Sequence, residues 1–357
     1  MKKRHLLLGL FALLSMVQAR ADVEINETNF PDADFRSYLL SESYGSDEVI
    51  TNAEIAEVTS IDVSLKNIAS LKGIEFFTAL TTLNCLGNQL TALDVSKNTA
   101  LTTLSCSINQ LTSLDVSKNT ALTMLSCYEN QLTALDVTKN TALNYLICHY
   151  NQLTALDVSK NTALTYLDCA NNQLTALDVT NNTALDYLIC TNNQLTALDV
   201  SKNTALTALI CLGNQLTALD VTNITALTYL RCYQNKIKGA AMDALVSSLP
   251  TQSNASLYVI YNENEGNVMT TTQVAAAKAK GWVPYYCVSS TYIPEWDYYT
   301  YDWQEYAGSD PTAIEGIESD TSACKSGSDV YFDLSGRRVM APQKGVYVKN
   351  GRKVVVK

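Results

Sequence analysis

Histidine is nearly missing from this chain. Of its 357 residues only His5 and His149 are histidine, and His5 lies in an N-terminal segment expected to be removed. One histidine leaves a Ser-His-Asp triad a single possible base and rules out any two-histidine metal site. A glycine-rich phosphate loop is absent too, and no cofactor is implied. Positive charge is scarce: 25 Lys and Arg stand against 35 Asp and Glu, for a net charge of -10. That balance disfavours a nucleic-acid phosphate backbone as partner. Phenylalanine is rare, 6 against 20 tyrosines, which favours exposed amphipathic aromatics over a large aromatic core. Beyond residue 21 no apolar run reaches the roughly 18 residues of a membrane-spanning helix.

What is present begins with an export signal. Lys2-Lys3-Arg4 form a positive head, Leu6 to Val17 an apolar run and Ala19-Arg20-Ala21 a small-x-small cleavage site, so residues 1–21 read as a signal peptide. No Cys follows closely, which argues against a lipoprotein anchor.

From Leu80 onward a 21-residue unit returns almost unchanged, with new copies at Leu101, Leu122, Leu143, Leu164, Leu185 and Leu206 and a half copy at Leu227. Each unit joins L-x-x-L-x-C-x-x-N-x to L-x-x-L-x-V-x-x-N-x-x, the pattern of a leucine-rich repeat. A fixed short period marks a solenoid, whose coils bury their apolar faces against one another. Leu83 with Cys85, and Leu93 with Val95, sit two apart, so each pair shares one face of an extended segment. Asn88 and Asn98 follow at turns, where a side-chain amide satisfies unpaired backbone groups. Each coil therefore reads as extended segment, turn, second extended segment, turn.

Flanking regions break the period. Residues 22–60 read as a helical N-terminal cap, with Phe30, Phe35, Tyr38 and Leu39 on one face and a capping box at Thr51 and Glu54. Ser43 to Glu54 has the length of a calcium-binding EF-hand loop, but lacks its acidic first and third ligands and its glycine. The solenoid spans 61–235. Residues 236–290 read as a small α/β C-terminal cap, with helices Met242–Leu249 and Thr271–Lys280 and strands Ser256–Tyr261 and Trp282–Cys287. Residues 291–327 read as a linker. Residues 328–357 form a short all-β domain with Val330–Leu334, Gly345–Val348 and Lys353–Lys357 as strands.

Eight cysteines, Cys85, Cys106, Cys127, Cys148, Cys169, Cys190, Cys211 and Cys232, occupy the same slot of successive copies. In-register strands hold equivalent Cβ atoms about 4.8 Å apart, against about 3.8 Å in a disulfide, and a straight row of thiols cannot enclose zinc. The expectation is a reduced, buried ladder in which sulfur packs as leucine would. Asp94, Asp115, Asp136, Asp157, Asp178, Asp199 and Asp220 form a second column. Lys97, Lys118, Lys139, Lys160 and Lys202, three residues on, offset its charge; turn caps and a cation row are both open readings.

The copies differ on one half only. Outward residues of the Val-bearing half scarcely change, whereas those of the Cys-bearing half include Met124, Tyr128, Tyr145, Ile147, His149, Tyr166, Asp168, Tyr187, Ile189, Ile210, Tyr229, Arg231 and Tyr233. Scaffolding side chains have reason to repeat; a recognition surface needs different chemistry on each rung. These thirteen are the candidate ligand-binding residues, with Tyr145, Tyr166 and Tyr187 side by side. The same pattern also suits simple cross-strand packing.

The 21-residue unit with Cys in a leucine slot resembles the repeats of internalin-type bacterial surface proteins over residues 61–233. That resemblance implies a right-handed curved solenoid whose parallel sheet supports adhesion. The wall-sorting signal of internalins is not found. Instead D-L-S-G-R-R, G-V-Y-V and a basic valine-rich end resemble the C-terminal sorting domains of the type IX secretion system of Bacteroidetes. The resulting expectation is an exported, non-enzymatic binding protein on the outer face of a Gram-negative cell, with a protein or glycan partner. The alternatives are a structural surface component and a glycan-active hydrolase.

Overall fold

A computed structural model describes residues 22–261, 265–293 and 298–309, and the backbone of short strands between residues 318 and 356. The signal peptide and most of the D-L-S-G-R-R turn lie outside the described residues. The chain divides into two compact units, Met1–Gln194 and Leu195–Lys357.

The first unit opens with β1 (Val23–Glu24), α1 (Ala33–Ser41), β2 (Val49–Ile50) and α2 (Asn52–Glu57), with β1 and β2 antiparallel. Asp32 caps α1: its Oδ1 accepts from the amides of Asp34 and Phe35, while Oδ2 accepts from those of Ala69 and Ser70 in the first coil. One carboxylate thus ends the helix and ties the cap to the solenoid. The Thr51 and Glu54 capping box forms as expected. Phe30, Phe35, Leu39 and Phe77 are fully buried between cap and coil.

The coils follow as parallel strands β3 (Ser60–Asp62), β4 (Thr82–Asn84), β5 (Thr103–Ser105), β6 (Met124–Ser126), β7 (Tyr145–Ile147), β8 (Tyr166–Asp168) and β9 (Tyr187–Ile189). Register is exact to the repeat: Leu83, Leu104, Leu125, Leu146, Leu167 and Leu188 are successive partners. These leucines and the cysteines two residues later are fully buried, so the solenoid's inner spine is continuous through this unit.

Only half of the second expectation holds. The Val-bearing half of each coil is not a strand: it consists of turns, and Asp94 with Asp115 makes an isolated bridge. Asp94 Oδ1 takes the amide of Ser96, and the same Asx turn recurs at Asp115, Asp136, Asp157, Asp178, Asp199 and Asp220, capping the turn that follows. Asp62, Asn84 and Asp168 make the same turn at the ends of β3, β4 and β8.

The second unit continues the same coil type with parallel strands β10 (Ala208–Ile210), β11 (Tyr229–Arg231), β12 (Ala255–Ile260) and β13 (Trp282–Ile293). Helices α3 (Ala240–Ser248) and α4 (Thr271–Ala279) replace the turn-built half of the last coils. The stretch read as a linker from residue 291 is instead partly strand: β13 runs to Ile293, and β14 (Tyr298–Glu305) returns antiparallel to it. Five strands, β15 (Glu318–Asp320), β16 (Tyr331–Phe332), β17 (Arg338–Val339), β18 (Gly345–Lys349) and β19 (Arg352–Val356), make a separate sheet. Among the described residues no helix is long and apolar enough to cross a membrane.

Candidate functional site

The register of the first unit brings Tyr145, Tyr166 and Tyr187 into one row. Their rings stack at 5.6 and 5.5 Å with interplanar angles of 18° and 17°. Tyr145 is 48% exposed, and Tyr166 and Tyr187 are half-buried. Burial, the nearby Asp168 carboxylate and the flanking phenols all push the Tyr166 phenol above its ordinary pKa, so it stays neutral. Met124 precedes the row, and Ile147 and Ile189 flank Asp168 in the parallel column, all three half-buried.

Asp168 is not a free surface carboxylate. It is buried; Oδ1 accepts from the Ala170 amide, and Oδ2 lies 3.0 Å from His149 Nδ1. His149 in turn stacks on Tyr128 at 4.6 Å and meets Tyr150 edge-on at 5.5 Å. The chain's one internal histidine is therefore held between an acid and two aromatic rings. Tyr150 (55% exposed) and Ile108 (40%) stand at the rim of this face, and slot-by-slot reading passed over both. Their shared signal is position: each is two residues past a ladder cysteine, where the chain turns.

In the second unit Ile210, Tyr229 and Arg231 are half-buried on the sheet face. Tyr233, grouped with the outward residues by sequence, is buried: it stacks on Tyr261 at 5.5 Å, and Trp303 of β14 lies 5.1 Å away. The returning strand, unexpected from the sequence, covers it. Tyr258 and Tyr285 were also missed, although Leu257-Tyr258-Val259 has the L-x-C spacing with Val in the sulfur slot. They stack at 5.0 Å, and the Arg231 guanidinium sits over Tyr258 at 4.6 Å and Tyr229 at 5.1 Å.

The ladder cysteines are free and fully buried. Burial pushes every shifted thiol upward, Cys106 and Cys211 to about 12. Cys85 Sγ donates to the Ser105 carbonyl at 3.3 Å, so the sulfur is inert packing with a weak bond to the next coil. The aspartate column turns out to be a row of turn caps. The hydroxyl and amide of Ser96 hold Asp94 below the usual carboxylate range, as those of Thr138 hold Asp136. No cluster of three metal-ligating side chains exists among the described residues. Glu54 of the loop compared with an EF-hand accepts from the amide and hydroxyl of Thr51.

The C-terminal cap has a cleft of about 700 Å³ that includes Glu265 and Glu305. Neither is poised for acid-base work. Glu265 accepts from the amides of Tyr261, Asn235 and Asn267, and Glu305 pairs with Lys278 at 2.8 Å.

No protein-family model matches the chain. It is 46% identical to internalin J of Listeria monocytogenes serotype 4b (strain F2365) over 70 residues, which is 19% of this chain and 8% of that protein. The functional domain of InlJ from Listeria monocytogenes, which includes a cysteine ladder, superposes with a TM-score of 0.64 at 38% identity, over 73% of this chain and 56% of that one. The internalin InlF of the same species matches with a TM-score of 0.55 at 23% identity, over 74% and 90% of the two chains, a likeness of fold alone. This chain thus spans about half of the InlJ domain and a small part of full internalin J. Its repeats are internalin-like leucine-rich repeats with a cysteine ladder.

Proposed function

We propose that the protein is an exported, non-enzymatic binding or adhesion protein that grips a protein or glycan partner with the diversified sheet face of its coils. One observation carries this reading. Variation between otherwise near-identical copies is concentrated on the half-turn that forms the sheet, and there it assembles the row of exposed Tyr145 and half-buried Tyr166 and Tyr187 beside Ile147 and Ile189. A contiguous aromatic and aliphatic strip on a rigid sheet is the composition of an interaction hot spot. The engaged carboxylates of the C-terminal cleft count against the hydrolase alternative. Residues 328–357 supply the export address in this reading, placing the protein outside a Gram-negative cell.

The test is a glycan and host-protein binding screen with the full chain, repeated with Tyr145→Ala, Tyr166→Ala and Tyr187→Ala combined. Binding should fall by roughly 100-fold or more, since hot-spot truncations cost about 2 kcal/mol or more each. Undiminished binding by a folded triple variant refutes this choice of face, and no interaction in any screen favours a purely structural surface component.

A further inference from the structure

Arg231 is the one arginine between residues 37 and 336 of a chain with 35 acidic residues, yet no carboxylate pairs with it among the described residues. Arginine on a protein this acidic ordinarily finds a carboxylate, because the bidentate ion pair is its strongest contact. Here the guanidinium is clamped instead by aromatic faces, Tyr229 at 5.1 Å and Tyr258 at 4.6 Å. Tyr285 backs Tyr258 at 5.0 Å, and Trp303 meets Tyr258 edge-on at 4.9 Å. Nε is buried and makes no hydrogen bond; the two Nη atoms make none either, but they are not shut off from solvent. A cation is thus held rigidly by contacts that use its faces and leave its outer donors unused.

We infer that Arg231 anchors a second ligand site, separate from the tyrosine row of the first unit, that takes the carboxylate of an acidic sugar. The fork of Nη donors matches one carboxylate in the bidentate geometry. A single cation on a strongly acidic chain suits a ligand with one isolated negative charge and repels a polyanion. The surroundings are phenols and an indole, with Tyr301 45% exposed nearby, which offer hydroxyl partners and aromatic carbon to a sugar ring. The aromatic clamp also removes the entropy cost of ordering a long side chain when ligand arrives.

This site rests on the proposed binding role only in lying on the same kind of face, and it fails separately: its assay reads Arg231 and a sugar, whereas the triple tyrosine variant reads the first unit. The experiment is ligand-observed NMR on the full chain with sodium glucuronate, its methyl ester and glucose. Glucuronate should bind saturably and weaken as salt rises, while the ester and glucose bind at least tenfold less well, about the loss of one charge-assisted hydrogen bond. Arg231→Gln should lose that preference, and Arg231→Lys, which keeps the charge but not the fork, should lose most of it. Because the ester removes the charge from the ligand, the test stands even where a variant fails to fold. Equal binding of glucuronate and its ester, or unchanged binding by folded Arg231→Gln, overturns the proposal. So does capture of a capped glutamate peptide where glucuronate does not bind, which makes Arg231 part of a protein interface.

Discussion

The two halves of every coil are written with nearly the same letters and fold differently. On the Cys-bearing half the backbone forms a parallel ladder, as where the Cys106 amide donates to the Ser126 carbonyl of the next coil. On the Val-bearing half the Ser117 amide closes an Asx turn on Asp115, and the chain folds into tight turns such as the one in which the Asn119 N–H donates to the Val116 carbonyl. The asparagines diverge with them. Asn130 donates to the carbonyls of Cys106, Cys127 and Tyr128 and accepts from the Leu111 amide, clamping two coils through both ends of its amide. Asn140 donates to Val116 and Asn119 carbonyls only, and its Oδ1 accepts nothing. Identical consensus letters thus serve a rigid sheet on one side and a turn stack on the other. Sequence variation is tolerated where the ladder, rather than the side chains, holds the strand.

The halves should also fail at opposite ends of the pH scale, and the largest effect lies on the alkaline side. Thiols sit only on the ladder half, and burial raises them, Cys106 and Cys211 from 9.0 to about 12. A raised folded value means that stability is whole below the unfolded pKa of about 9 and is lost as pH climbs toward the folded value. Thermal melts followed by circular dichroism should therefore collapse steeply between about pH 9 and pH 11, accompanied by thiol reactivity. A melting temperature that stays level over that range would break the assignment of the ladder as buried thiol.

Next in size is the asparagine pair. Asn130→Ala leaves the buried Leu111 amide and three carbonyls short of partners and should cost about 3 kcal/mol in urea unfolding, with Asn140→Ala nearer 2 kcal/mol. Equal losses would mean that the two columns are equivalent after all. A similar contrast applies to the sulfur slot. Cys148→Ser inserts an extra polar group into a fully buried row and should cost about 2 kcal/mol, whereas Cys148→Ala removes one atom of packing for about 1 kcal/mol. If serine proved the milder change, sulfur would be acting as more than a small hydrophobe.

Smaller again is the acid limb, which belongs to the turn-built half. Hydrogen bonds lower the folded pKa of Asp94, Asp136 and Asp220 below 3.8. Their contribution is present above the unfolded value and disappears as pH falls through the folded ones. Melting temperature should hold constant from neutrality to about pH 4 and decline gently below it. The groups that hold these carboxylates are chiefly neutral hydroxyls and amides at hydrogen-bond distance rather than ion-pair partners, so added salt should change little.

The repeat makes most of the fold legible, because a strict period fixes register: the spacing alone places Leu83, Cys85 and Asn88 in their coil. What escaped was whatever depends on neighbours outside the period. Asn267 completes the asparagine column, donating to Cys232 and Val259 carbonyls and accepting from Ile237, but an inserted helix separates it from its consensus spacing. Trp303 arrives from a strand with no repeat signature and removes Tyr233 from the surface. The second extended segment failed for the opposite reason. Its L-x-V spacing is as regular as L-x-C, and the Asp between Leu and Val does not separate the two, because Asp168 bonds its own backbone two residues on in the same way at the end of strand β8.

That logic makes a last, small prediction at the corner where the ladder half ends. The slot two residues past each ladder cysteine is left-handed in nearly every coil: φ is 66° at Gly87, 53° at Ile108, 50° at Glu129, 50° at Tyr150 and 65° at Gly213. A left-handed backbone costs a residue with a side chain roughly 1 to 2 kcal/mol, most for a β-branched one, while glycine loses about 0.5 to 1 kcal/mol more chain entropy on folding. Ile108→Gly should therefore stabilise the protein by about 0.5 kcal/mol, even though it deletes a side chain. Tyr150→Gly should gain less, because it also removes the ring packed against His149. In the other direction Gly87→Ala should destabilise twice over, since its new Cβ would lie 2.4 Å from Leu65 Cδ2. Urea midpoints of the three variants check the ordering. If Tyr150→Gly proves the more stabilising, the ring adds nothing to the fold, and a strained, exposed tyrosine beside His149 is best explained by what it touches outside the protein.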